Sequence, residues 1–157
     1  MKNLIAYMED HLAGSVAALE LLDHLIPDSA ETPLAAFFID LRADIEEDQD
    51  VLRALLLRCG EEESGMRKVV AWFAEKVTWA KFRLEGTERD GIGTLQALEV
   101  LLLGITGKKA LWRVLAPIAA SNPPLQATDF AGLIERADNQ IERVDEKRIN
   151  EARKILL

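Results

Sequence analysis

An apolar face that repeats every three or four residues runs from Leu34 to Cys59, and it constrains the fold more than any other feature. Its members are Leu34, Phe38, Leu41, Ile45, Asp48, Leu52, Leu55 and Cys59. A single helix of about seven turns places them all on one side. Thr32 is predicted to cap this helix, Pro33 suits its first turn, and Gly60 suits its end. Asp48 is the charged exception on that face.

Four other stretches show the same helical period, and no stretch alternates in the manner of a strand. They predict helices over about residues 3–26, 66–84, 94–120 and 129–156. Pro27 is expected to end the first of the five predicted helices, and Pro117 to kink or end the fourth. Thr128 is expected to cap the fifth. Gly104 and Gly107 suggest close approach by a neighbour, or a bulge.

The composition is that of one water-soluble domain. The 157 residues are 49% hydrophobic and 29% charged, and the net charge of −8 argues against nucleic acid as a partner. The longest apolar run, Val100 to Leu103, is too short to span a membrane. Cys59 is the single cysteine, so no internal disulfide can form, and a reducing cytoplasm is the expected location.

Four long helices and one short helix in the middle are the plan of a four-helix bundle with a long crossover. In this order and length of helices, the whole chain resembles the ferritin-like superfamily. The resemblance implies an all-α bundle whose first two and last two helices pair antiparallel, with the crossover helix at residues 66–84. It also implies a di-iron site, which draws on Glu-x-x-His motifs. This sequence has no such motif. The residues at positions that the resemblance implies for metal ligands are limited to Asp44, Asp48 and Glu99.

His11, Ser15 and Asp48 form the first candidate constellation. If the first two helices pair about a turn near residue 30, His11 and Asp48 meet inside the bundle. The carboxylate of Asp48 is then expected to raise the pKa of His11. One interpretation is a buried hydrogen bond that satisfies two polar groups. The alternative is an acid-base pair or a metal site of His11, Asp44 and Asp48, with iron or manganese as the metal.

Two further groups have a structural and a functional interpretation. Glu99 and Arg148 are expected to form an ion pair between the last two long helices. The functional alternative is that Arg148 binds an anion. Trp72, Trp79 and Phe82 lie on the basic helix 66–84. They are interpreted as bundle packing, as a subunit interface, or as a membrane-surface helix. Lys108 and Lys109 indicate no chemistry on their own.

The sequence therefore predicts a non-catalytic binding module, or a stress-associated structural module, without a cofactor. The stress association and a bacterial-type cytoplasm come from the resemblance. Leftover aromatic surface predicts a homo-oligomer, most simply a dimer. The alternative is a metal-binding protein or an enzyme that uses His11 and Asp48 with Asp44 or Glu99.

Overall fold

The computed structural model describes residues 1–68, 71 and 91–157. In this part of the chain the secondary structure is helical, without strands, so the predicted all-α class is confirmed. The long helices are α1 (Lys2–Asp28), α2 (Leu34–Arg58), α3 (Ile92–Ile118) and α4 (Phe130–Leu156). Residues 63–68 are helical as well, and two 3₁₀ turns, Ala119–Ser121 and Pro123–Leu125, connect α3 to α4.

Polar contacts show that α1 and α2 run antiparallel. Arg42 Nε lies 2.6 Å from Asp23 Oδ1, near one end of the pair. Towards the other end, Gln49 Nε2 donates to Ser15 Oγ at 2.8 Å. Residue numbers that rise on one helix therefore fall on its neighbour, and the centre of the turn lies near residue 32.

The helix α4 runs antiparallel to both α3 and α2. Its ion pairs to α3 are Lys109–Asp138 and Glu99–Arg148, and those to α2 are Glu47–Arg136 and Asp44–Arg143. Two helices that are each antiparallel to α4 must be parallel to one another. Consequently α2 and α3 point the same way.

Two apolar clusters fill the interior, one towards each end of the helices. The first centres on Met8, Leu12, Leu55, Leu56, Leu111, Trp112 and Leu115. The second centres on Leu22, Phe38, Leu41, Ile45, Leu98, Leu101 and Ile105. Burial of these side chains is the main stabilising contribution to the bundle. The clusters do not merge, because polar side chains lie between them.

The ends of the long helices lie within two residues of the sequence prediction, but the cap of α2 is Pro33 rather than the predicted Thr32. Pro27 and Pro117 lie inside the last turns of α1 and α3, where a proline removes one hydrogen bond without blocking the turns before it. The cap of α4 is Asp129 rather than Thr128, since Asp129 Oδ1 accepts a hydrogen bond from Gly132 N at 3.0 Å. Gly60 ends α2 as predicted, with φ at 90°.

Most of the predicted crossover helix, 66–84, lies outside the described residues, and so do Trp72, Trp79 and Phe82. Among the helices that are described, none combines the length and the apolar character required to cross a membrane.

Candidate functional site

Three polar side chains form a layer across the middle of the bundle: Asp48 of α2, Lys108 of α3 and Gln140 of α4. Each takes a position at which its helix would otherwise place a core residue. The apolar neighbours three residues before and four residues after are Ile45 and Leu52, Ile105 and Trp112, and Ala137 and Val144. The layer therefore separates the two apolar clusters.

The three side chains of the polar layer bind one another in a closed triangle. Lys108 Nζ donates to both Asp48 Oδ2 and Gln140 Oε1, and Gln140 Nε2 donates to Asp48 Oδ2 at 3.0 Å. The amide orientation of Gln140 is thereby fixed, because its oxygen faces a donor and its nitrogen faces an acceptor. Asp48 and Gln140 are each 2% exposed. The buried carboxylate of Asp48 is therefore bound inside the core by the Lys108 ammonium of α3 and the Gln140 amide of α4.

The second oxygen of Asp48 is less well satisfied than the first. Arg136 Nη2 lies 3.1 Å from Asp48 Oδ1, but the guanidinium is aligned for a hydrogen bond with Glu47 Oε2 at 3.0 Å instead. Within the described part of the chain, Asp48 Oδ1 is buried without a hydrogen-bond donor. Asp48 Oδ1 is therefore compensated by the charge of Arg136 rather than by an aligned hydrogen bond.

Burial lowers the pKa of Lys108 from its ordinary value. The charge of Asp48 and its hydrogen bond oppose this change, since both favour the ammonium form. Nearby Arg136 acts in the same direction as burial. Lys108 is therefore a partly destabilised cation that depends on Asp48 for its charge.

A cavity of about 220 Å³ opens beside the polar layer, between α1, α2 and α3. Gly14, Gly104 and Gly107 line it, and a Cβ atom placed on any of the three would meet no other atom within 4 Å. The predicted close approach at Gly104 and Gly107 is therefore wrong. Gly14 and Gly104 are exposed and Gly107 is partly buried, so no neighbour packs closely against any of the three.

Two buried polar atoms without partners belong to residues that line this cavity. Trp112 is fully buried, and its Nε1–H has no acceptor in the described structure. The second such atom is Asp48 Oδ1. Neither atom has accessible surface in the cavity, and Asp48 Oδ1 has the Arg136 guanidinium at 3.1 Å, so the indole N–H of Trp112 is the one of the two without a charged or hydrogen-bonding partner in the described structure.

His11 also lines the cavity, but it does not pair with Asp48. Its ring is half-buried and contacts the Tyr7 ring edge-on, with 4.9 Å between centroids. Burial lowers the pKa of His11, and the nearby charge of Asp10 offsets this only in part. The predicted His11–Asp48 contact and the predicted rise in pKa are therefore wrong.

The register of α1 against α2 explains this error. Because Ser15 faces Gln49, the turn is centred near residue 32 rather than near residue 30. His11 consequently faces a position about one helical turn beyond Asp48. Ser15 does line the cavity, where its hydroxyl accepts from Gln49 and donates to Leu12 O at 2.6 Å.

The remaining candidates lie elsewhere. Asp44 Oδ2 binds Arg143 Nη1 at 2.6 Å beside an open groove of about 770 Å³ between α2 and α4, so the structure does not bring Asp44 to His11. The predicted Glu99–Arg148 pair is present at 3.7 Å, but at the surface rather than in the core. Arg148 is bound more closely by Asp145, at 2.7 Å, which leaves it poorly suited to a free anion.

Sequence reasoning missed Lys108, Gln140 and Trp112 as site residues. For Lys108 and Gln140, the signal was spacing: each continues a run of core positions in steps of three and four. A polar side chain that keeps such a step is a candidate for the interior. Nothing in the sequence marks the indole nitrogen of Trp112 as unpartnered.

The comparisons with known proteins add no assignment. A scan of protein-family models, a search of curated proteins and a search of solved structures each return no match to this chain. In the described ranges, no three side chains of the His, Cys, Asp and Glu types come together in a way that could hold a metal ion. The function must therefore be inferred from the polar layer and the cavity.

The half-buried position of His11 leads to a prediction about pH. The unfolded chain takes up a proton at the ordinary histidine pKa of about 6.5, whereas the folded chain does so at a lower pH. Between these two values the unfolded state binds more protons, so stability rises with pH there and falls on acidification. In urea unfolding from pH 7.5 down to pH 5, we expect the wild type to lose stability relative to His11→Gln.

A histidine paired with a carboxylate would behave in the opposite way. Its folded pKa would be raised, and the wild type would gain stability relative to His11→Gln on acidification. That outcome would restore the carboxylate contact predicted from the sequence. Titration of the imidazole proton resonances, with His11→Gln to identify the His11 signal, reads the direction directly.

Proposed function

We propose that this protein is a non-catalytic, ferritin-like four-helix bundle that acts as a binding module for a small molecule. The binding site is the cavity between α1, α2 and α3. The observation that carries the proposal is the cavity itself, which has a volume of about 220 Å³ and is lined by apolar side chains together with Asp48 and Lys108 of the polar layer.

The helix directions support the ferritin-like part of the proposal. The pairs α1/α2 and α3/α4 are antiparallel, and α2 and α3 are parallel, so residues 59–91 must connect two helices that point the same way. The donor chemistry does not fit a di-iron centre, however. The Lys108 ammonium and the Gln140 amide surround the Asp48 carboxylate in the middle of the bundle, and a cation already compensates it.

The same contacts support a non-catalytic role. Lys108 is held by two acceptors, which leaves its nitrogen poorly placed as a nucleophile or base. Neither Lys108 nor Ser15 hydrogen-bonds to His11 in the described structure; Ser15 uses its hydroxyl on Gln49 and Leu12. A nucleophile normally needs such a base within hydrogen-bond reach.

A metal-binding or enzymatic role at His11 and Asp48 is the second candidate, favoured by one observation: both residues line the same cavity. Elemental analysis of protein purified without chelator separates the two candidates. Iron, manganese or zinc in stoichiometric amount, lost in His11→Ala, would overturn the metal-free proposal. We expect no stoichiometric metal.

A homodimer, a cytoplasmic location and a stress-associated role remain proposals that rest on the sequence alone. Sedimentation velocity at increasing protein concentration tests the first of them. We expect a concentration-dependent rise to the dimer mass, and a strict monomer would contradict it.

Binding in the cavity can be tested with a panel of simple ring compounds. The full-length protein, labelled with ¹⁵N, is titrated with monocyclic anions, cations, neutral polar rings and apolar rings. At least one class is expected to shift amide resonances around the cavity, on α1, α2 and α3. Gly107→Leu should abolish the shifts, because its side chain would extend into space that is free next to the glycine.

Ala110→Leu provides the matched control for this experiment. It adds a leucine to the same helix one turn away, at an exposed position that does not line the cavity. Binding should survive in Ala110→Leu and be lost in Gly107→Leu. Absence of binding by every class at millimolar concentration, or equal binding by both variants, would overturn the proposed function.

A further inference from the structure

We propose that a second copy of this chain packs along the exposed side of α3, antiparallel to it, and that this side of α3 is the surface by which the homodimer forms. The inference rests on the proposed homodimer and assigns its interface. Three properties of α3 carry it: an uncharged stripe, a projecting leucine next to an open glycine, and opposite charges on one flank.

The uncharged stripe runs the length of α3 on its solvent side. The side of α3 that faces the core carries other residues, among them Leu101, Ile105 and Trp112. A repeat in alternating steps of four and three residues is the seam by which one helix packs along another. The members of the stripe follow that repeat, and all are exposed except the partly buried glycine: Gln96, Val100, Leu103, Gly107, Ala110, Val114 and Pro117.

Leu103 and Gly107 give the stripe a shape that fits a copy of itself. The Leu103 side chain is 72% exposed, so it projects from the helix. A Cβ atom placed on Gly107 would meet no other atom within 4 Å, so the backbone there can be approached closely. An antiparallel second copy places its Leu103 over Gly107 of the first copy, and the two-fold axis repeats the contact. This axis passes next to residue 105, and it sets Val100 opposite Ala110 of the second copy.

The charges beside the stripe favour the antiparallel direction. Glu99, Thr106 and Arg113 lie on one flank, at intervals of seven residues. In the described part of the chain, Arg113 has no ion pair, and Glu99 has only the exposed contact with Arg148 at 3.7 Å. The two-fold axis brings Glu99 of each copy near Arg113 of the other, whereas a parallel pair would set each charge beside its own counterpart. Charge complementarity on the rim of a helix pair selects its orientation, so the stripe fits a second copy of this chain.

Sedimentation velocity of the full-length protein at increasing concentration measures the dimer dissociation constant. One helix side is a small interface, so we expect a dimer that dissociates on dilution. Leu103→Glu should raise the dissociation constant at least about a hundredfold, because the two-fold axis places two buried charges in one interface. Ile39→Glu is the matched control, since Ile39 is an exposed apolar residue of α2, away from the stripe. It should leave the dissociation constant unchanged, and circular dichroism checks that both variants are folded.

Disulfide cross-linking tests the direction of the two helices. Thr106 lies next to the axis, so Thr106→Cys should cross-link to its counterpart under mild oxidation. Gln96 lies towards one end of the stripe, and an antiparallel pair separates it from its counterpart by about 27 Å along the helix. Gln96→Cys should therefore not cross-link, whereas a parallel pair would cross-link both variants. The native Cys59 is buried, and the wild type supplies the background.

The outcomes distinguish this inference from the proposed homodimer. A strict monomer at millimolar concentration would overturn both. A dimer that Leu103→Glu leaves intact would overturn the α3 interface while the homodimer stands. Cross-linking of Gln96→Cys as readily as Thr106→Cys would overturn the antiparallel arrangement. Leu103 and Thr106 do not line the cavity, so these results leave the titration with ring compounds as a separate test.

Discussion

Replacing Lys108 with methionine is expected to lower the free energy of unfolding by about 3 kcal/mol, because it removes the hydrogen-bonded cation of the buried Asp48 carboxylate and leaves only Arg136, 3.1 Å from the other oxygen. Methionine has a similar length and shape, so the loss reports the charge rather than a new void. Asp48 is 2% exposed and cannot reach solvent without moving α2. Urea unfolding followed by circular dichroism measures the change.

The substitution Asp48→Leu should lower the free energy of unfolding by less than Lys108→Met does. Asp48→Leu leaves the Lys108 ammonium unpaired, but the Lys108 side chain is 14% exposed and burial already favours its neutral form. The double variant should lose less stability than the sum of the two single variants, because the orphaned charge is gone. Additive effects would mean that the ion pair does not form.

His11 serves as the reference residue in the same set of variants. His11 contacts Tyr7 rather than Asp48, so His11→Ala and Asp48→Leu should have additive effects within about 0.5 kcal/mol. If the coupling energy between His11 and Asp48 were as large as that between Asp48 and Lys108, His11 would have to contact Asp48, and the structure would be contradicted at this point.

The helices could be predicted because their cause is local. The repeat of three and four residues in Leu34–Cys59 is fixed by the geometry of one helix, and α2 follows it to within one residue. Asp48 stood out for the same reason, as a charge on an apolar face. The fold class and one site residue therefore follow from each helix taken by itself.

The partners of Asp48 depend on how helices are arranged, and local pattern does not encode that. A small error in the centre of the first turn was enough to place His11 opposite Asp48. Lys108 and Gln140 carry side chains that usually point to solvent, so their core spacing was overlooked. The cavity is less predictable still, since it arises from glycines on two helices that meet only in the folded bundle.

Replacing the whole polar layer at once should have the opposite effect to replacing Lys108 alone. The triple variant Asp48→Leu, Lys108→Met and Gln140→Leu removes the triangle and leaves no orphaned member. Buried ion pairs exchanged for apolar side chains of similar volume are often stabilising by about 1–4 kcal/mol. We expect the urea midpoint of the triple variant to lie above that of the wild type.

A buried layer that lowers stability must be explained by something other than stability. If it fixes the arrangement of the helices, the triple variant should give broadened or duplicated amide resonances. If it serves the cavity, the spectrum should stay uniform while binding of the ring compounds falls, because Asp48 and Lys108 no longer line the cavity. We expect the second result, since Asp48 and Lys108 both line the cavity. A triple variant less stable than the wild type would instead show that the triangle contributes net stability, and the argument for a binding role would then rest on the cavity alone.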